Sequence, residues 1–336
     1  YEFRLRVTDL SSGIILFANN LYAGAMSNAG GTAEIKFYGS TTDITSAVTL
    51  STTGSVYYGD ATSDVLTFTR GITHNTGNNI LLGTFTAANP STCTSGTTCS
   101  FNLGGTTTFL SSSSVFDFGA SSITLNNVLL GDGVTLYLGG GSSGSITVAS
   151  ITGTAGGLSS NIVINTTGAV NISGAVGTDI GTITITNSGG ATFGGTVTAS
   201  TITLSDTTGT IAFNDALTAT TVNTASKAYN VAINASGSTV TDAVTFSNTG
   251  TVALGASAGT QTYTNGITAT APSSSTLKGT INSTNAAMSF GAITLGANTV
   301  LNTNATSNSG TLTVGAVTGS SYNLTLSTGA AVSGAN

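Results

Sequence analysis

Among 336 residues, the chain has twelve carboxylates, six Lys or Arg, one histidine and two cysteines to do chemistry with. Asp60 and Asp64, in Tyr57-Tyr58-Gly59-Asp60-Ala61-Thr62-Ser63-Asp64, are the nearest acidic pair. Glycosidases need two carboxylates held about 5–10 Å apart, and with the two tyrosines this stretch resembles a sugar or cation site. Asp in a Gly/Ser/Thr run is more simply a turn residue on a wet surface. Gly140-Gly141-Ser142-Ser143-Gly144 matches the G-x-S-x-G spacing of serine hydrolases. That motif works only at a strand-to-helix elbow with a histidine and an acid to hand. The one histidine, His74 in Thr73-His74-Asn75, reads as a surface turn residue. No phosphate-binding loop precedes Lys36, Lys227 or Lys278, and Gly131-Asp132-Gly133 is a single turn rather than a calcium repeat. No catalytic residue, metal site or cofactor is expected, and the chain is not expected to be an enzyme.

Cys93 and Cys99 are separated by five small, turn-prone residues. That spacing suits a local disulfide, and a zinc site would need further ligands. A disulfide implies an oxidising, extracellular compartment. Only 5% of residues are charged and the net charge is −6, so no basic patch for nucleic acid can be assembled. No apolar run of about 20 residues signals a transmembrane helix. The chain opens at Tyr1 without a visible signal peptide, as expected of a processed chain or a part of something longer.

The elements that carry these residues are strands. With 39% hydrophobic residues and a mean hydropathy of +0.31, the chain is too apolar for disorder. Its Val, Ile and Thr come in short alternating runs. Tyr1, Phe3, Leu5 and Val7 alternate with polar residues, and Leu10 and an apolar stretch follow; this segment is the candidate assembly strand. Ten of the eighteen charged residues lie in residues 1–70. The shift divides the chain into an N-terminal cap or assembly region, 1–70, and a repeat region, 71–336.

In the repeat region, Ala191–Ile202 lies over Ile211–Val222 at an offset of 20. Ile-Thr-aliphatic triplets recur, as at Ile123, Ile146, Ile183, Ile202 and Ile293, and Tyr229–Ile233 is echoed by Tyr322–Leu326. Self-similarity at this period indicates a solenoid whose units bury their apolar faces by stacking. The expectation is an all-β, right-handed parallel β-helix of about 20 residues per coil. Phe193, Phe213, Val197, Leu217, Ile183 and Ile202 should point inward, with outward Thr and Ser forming hydrogen-bonding ladders. Rows such as Thr182-Ile183-Thr184 also have the look of an ice-binding face, and equally of any Thr-rich β-surface.

The segments Tyr322–Leu326, Gln261–Gly266 and Ala287–Gly291 set an aromatic among Ser, Thr or Asn. In this, residues 100–336 resemble the repeats of large bacterial surface proteins of the filamentous-haemagglutinin and autotransporter-passenger type. The resemblance implies an exported β-helix that mediates adhesion or aggregation on the bacterial cell surface. The family's Asn-Pro secretion motif survives only as Asn89-Pro90, and no membrane barrel follows, so the chain would be an internal or trimmed part. Two roles follow from the sequence. One is a structural or adhesive segment facing a host or neighbouring-cell surface. The alternative is a self-assembling subunit of an extracellular filament or surface layer, joined by strand addition through the N-terminal segment. If Cys93 and Cys99 are bridged, the mass of the chain will not change on alkylation without reductant and will rise after reduction; alkylation without reductant overturns the bridge.

Overall fold

A computed structural model of the chain describes residues 4–7, 12–82, 84–87, 100–117, 119–307, 309–319 and 321–329, with 4–7, 84–87 and 100 described by their backbone alone. Cys93, Cys99, Tyr1, Phe3 and Leu10 lie outside the described residues. Among those described there is no helix. Parallel strands stack as a β-solenoid of about 14 turns, roughly 21 residues each. The chain forms two compact units, Tyr1–Gly174 with Thr178–Ile180, and Ala175–Gly177 with Gly181–Asn336.

In the first coils of unit 1 short strands pair in parallel with their counterparts one coil on, and from Ser100 neighbouring strands merge into longer ones such as Ser100–Leu110 and Ile123–Leu130. Arg4–Val7 pairs with Ala25–Asn28, Ile14–Phe17 with Glu34–Phe37, and Leu21–Ala23 with Thr41–Ile44. Leu5 and Val7 of the candidate assembly strand therefore sit in the chain's own first coil. Pairing continues past residue 70, with Val48 beside Ile72 and Val56 beside Asn79. The step in charge at residue 70 thus falls inside a run of like coils. The coil step widens to 29 residues where Asn79–Leu81 meets Thr108–Leu110. The surplus falls in the segment that holds Cys93 and Cys99.

Alternation within each strand sends one residue in and the next out. Inward columns in unit 1 include Phe17, Phe37 and Tyr58, with rings stacked at 5.4 and 6.0 Å between centroids. In unit 2 Phe193 pairs with Phe213, rings stacked at 4.9 Å. Val197 pairs with Leu217, and Ile183 with Ile202. All six of these residues are buried. The echo between Tyr229–Ile233 and Tyr322–Leu326 does not mark equivalent positions. Asn230–Ile233 pairs with Thr210–Phe213, whereas Leu324–Ser327 pairs with Thr299–Asn302 on another stack. Accordingly Tyr229 is buried and Tyr322 is exposed. Both strands have the same alternation, and only the length of the intervening turns decides which stack receives them.

The outward ladders are also different from expectation. Thr hydroxyls in successive strands stand about 4.8 Å apart, too far to bond one another. Most of the side-chain ladders form near the turns, where a longer amide or a freer hydroxyl closes the gap. Examples are Asn234 to Asn214 at 2.8 Å and Ser40 to Asn20 at 3.0 Å, while Ser150 reaches Asn127 at 2.8 Å between paired strands.

The corners repeat a small device. A buried hydroxyl donates to a carbonyl of the coil before it and accepts the N–H of a glycine two residues on. Thr52 does so with Ala33 and Gly54, Thr166 with Ser142 and Gly168, and Thr207 with Ser188 and Gly209. The glycine is required by closeness. A Cβ on Gly54 would lie 2.4 Å from the Ala33 carbonyl oxygen, and one on Gly168 would lie 2.2 Å from that of Gly144.

Replacing Phe213 by Ala is expected to cost about 3–5 kcal/mol, read as a lower urea midpoint for the transition that includes unit 2. Complete burial pushes the phenols of Tyr58 and Tyr263 well above their ordinary value. Because the folded value is raised, their stabilisation is complete below the unfolded pKa of about 10 and declines as pH rises beyond it. Stability should fall by up to about 1.4 kcal/mol per pH unit per buried tyrosine above that point. Urea titrations at pH 9 and 11 check this, with Tyr263→Phe expected to flatten the slope.

Candidate functional site

The residues singled out for chemistry do not converge. The Asp64 carboxylate is buried and accepts the backbone N–H groups of Asp60 and Ala61 at 2.8 and 2.9 Å, closing its own turn, while Asp60 is exposed. Tyr57 points outward and Tyr58 inward, as alternation demands. Tyr58 donates to Asn79 Oδ1 at 3.1 Å.

His74 is not a surface turn residue, because it is fully buried. Its Nε2 faces the Thr52 carbonyl at 3.0 Å and its Nδ1 faces Asn79 Oδ1 at 2.8 Å. It bonds a carbonyl of the preceding coil that also accepts the Thr76 hydroxyl at 2.5 Å. A side chain long enough to reach that carbonyl gains more by turning in than by staying wet. The burial was not visible in sequence, since Thr73-His74-Asn75 carries no apolar pattern on both sides.

The Gly140–Gly144 stretch ends the strand Thr135–Ser142, and no helix follows. Both ring nitrogens of His74 are bonded elsewhere, so the histidine that this motif needs does not stand at Ser142 or Ser143, whose shallow cleft is lined by the Asp117 carboxylate. The glycines have a packing reason: a Cβ on Gly140 would lie 2.3 Å from Asp117 Oδ2. Among the described residues no three His, Cys, Asp or Glu side chains gather to hold a metal. No helix there is long and apolar enough to cross a membrane.

The most unusual surface feature was not anticipated. On the second stack of unit 1 the outward column runs Leu16, Lys36, Tyr57, Ile80, Phe109, Leu129, each paired in register with the next. Four successive coils thus present a large apolar side chain to solvent. Leu16 is 52% exposed, and Tyr57, Ile80, Phe109 and Leu129 are half-buried. An open cleft of about 250 Å³ lies along Ile80, Phe109 and Leu129, edged by Asn78 and Thr107. At the other end the Lys36 ammonium lies 4.7 Å from the centre of the Tyr57 ring, and Tyr38 meets that ring edge-on at 6.4 Å. A hydrogen bond to Glu34 at 2.8 Å holds Lys36 above its ordinary pKa. Contiguous outward apolar surface of this kind marks an interaction site more often than a solvated face. The signal was present at Ile80, Phe109 and Leu129, but only the coil register brings three residues 20–29 positions apart into one stripe.

No family model matches the chain, and neither a curated protein nor a solved structure matches it. If the Asn79–His74–Tyr58 bonds are structural, Asn79→Ala should lower stability by about 1–3 kcal/mol through unpaired buried groups, measured by urea denaturation. It should leave the surface behaviour of the stripe unchanged.

Proposed function

We propose that this chain is a structural and adhesive segment of a secreted bacterial cell-surface protein, with no catalytic step of its own. The observation that carries this reading is the outward stripe of Tyr57, Ile80, Phe109 and Leu129 on a β-solenoid with hardly any charge. The solenoid supplies reach and rigidity from backbone pairing. The stripe supplies a dry contact for an apolar surface on a host or neighbouring cell. Such contact is driven by burial of apolar area and owes little to charge. The resemblance of the repeats to filamentous-haemagglutinin and autotransporter passengers supports the same reading, as does the extracellular setting expected from the cysteine pair.

Adsorption of the full chain to alkane-terminated and hydroxyl-terminated surfaces, followed by quartz-crystal microbalance, tests it. Retention on the alkane surface should be the stronger and should persist at 1 M salt, where charge-driven contacts are screened beyond about 3 Å. Tyr57→Ser with Phe109→Ser should reduce it several-fold. Equal retention of the parent and the double variant sinks the adhesive role. Ordered filaments or lattices of the purified chain in electron micrographs would favour the assembly role instead.

A further inference from the structure

The Gly140–Gly144 stretch lacks the histidine of a hydrolase, yet its backbone departs from the regular ladder. Leu138 pairs with Ile164 and Ser142 with Thr166, so Gly139, Gly140 and Gly141 stand opposite Asn165 alone. A bulge of this kind interrupts the backbone pairing and re-aims the side chains beside it. Gly139 and Gly141 have φ of 79° and 94°, a region that favours glycine. On the adjoining strand Ser114–Phe116, Val115 pairs with Tyr137, and Asp117 follows on the same outward face. The bulge and Asp117 border an open cleft of about 280 Å³ that Ser142 and Ser143 also line.

The groups around this cleft are not all spent on the fold. Ser142 is only 8% exposed, its carbonyl accepts the Thr166 hydroxyl, and its own hydroxyl has no partner among the described residues. A hydroxyl so deeply placed is ordinarily bonded. Asp117 Oδ1 accepts the Gly119 N–H at 3.2 Å, which leaves Oδ2, lying against Gly140, with lone pairs to offer. Tyr137 stands diagonally across the strand pair from Asp117, about 7–8 Å away, and is exposed. These groups narrow the ligand. No Lys or Arg lines the cleft, so an anion meets only a carboxylate. A calcium ion takes about six to eight oxygens, and one carboxylate is a poor start. An apolar ligand finds only Ala120. Hydroxyl groups suit what is there, because they donate to Oδ2 and exchange hydrogen bonds in either direction with Ser142 and Ser143. The volume lies just below the range of pockets for drug-sized molecules, which fits one ring.

We propose that this cleft binds a single neutral sugar residue, a pyranose with a pair of hydroxyls on Asp117 and Ser142 and its C–H face toward Tyr137. The glycine bulge supplies the floor, since a side chain on Gly140 would displace the carboxylate. The cleft lies on other strands than the apolar stripe, so either proposal can fail alone.

Saturation-transfer NMR of the full chain with the methyl glycosides of glucose, galactose, mannose and N-acetylglucosamine tests it. At least one should receive saturation and bind with a millimolar dissociation constant. Asp117→Asn keeps an oxygen for the Gly119 N–H and should weaken binding about tenfold, the loss of one hydrogen bond to a charged group. Ser142→Ala and Tyr137→Ser should each weaken it several-fold, and Ser142→Ala carries the test if Asp117→Asn loses its β-type circular dichroism. Asp60→Asn, an exposed carboxylate on another turn, should leave binding unchanged. Absence of saturation in all four glycosides overturns the proposal. So does binding by folded Asp117→Asn and Ser142→Ala equal to that of the parent. Titration of Asp117 by calcium chloride with no glycoside bound overturns it as well.

Discussion

Everything in this protein depends on parallel backbone hydrogen bonding between one coil and the next. It places each residue beside its counterpart at about 4.8 Å, so a side chain is chosen for a column as much as for a position. Like charges at that distance are destabilising, which gives a physical reason for a chain with only 5% charged residues. Neutral groups have no such penalty. Aromatic rings gain from it, as Phe193 on Phe213 and Phe17 on Phe37 illustrate.

The same constraint sets the problem at the corners. Stacking buries carbonyls that no strand can pair, and a buried unpaired carbonyl costs about 1–3 kcal/mol. Thr52, Thr166 and Thr207 reach such groups from the inside, and the glycine two residues later lets the backbones close up. At the Thr52 carbonyl the His74 ring joins the Thr76 hydroxyl in solving this problem. Its chemistry is spent on the fold, which is why the one histidine of the chain offers nothing to a catalytic reading.

One architecture thus carries two surface chemistries. Unit 1 turns large apolar side chains outward over four coils, and unit 2 turns threonine, serine and asparagine outward over seven. The fold does not choose between them, because outward positions are free of the core's packing demands. Function is therefore written in the columns, and the solenoid multiplies whatever a column holds.

Much of the fold was legible in the residues. Alternation gave the strands, and the Phe193/Phe213 offset with the recurring Ile-Thr-aliphatic triplets gave the coil. These are local or strictly periodic signals, and a chain can state them by itself. The stripe of Tyr57, Ile80, Phe109 and Leu129 was not legible, nor was the cleft at Asp117 and Ser142, nor the burial of His74 and Asn79. Coil steps vary from 18 to 29 residues, so turn lengths decide which residues meet, and turn lengths follow no period. Composition and alternation determined that this chain coils and that its surface carries few charges. Only the register between coils decided which outward residues stand in line.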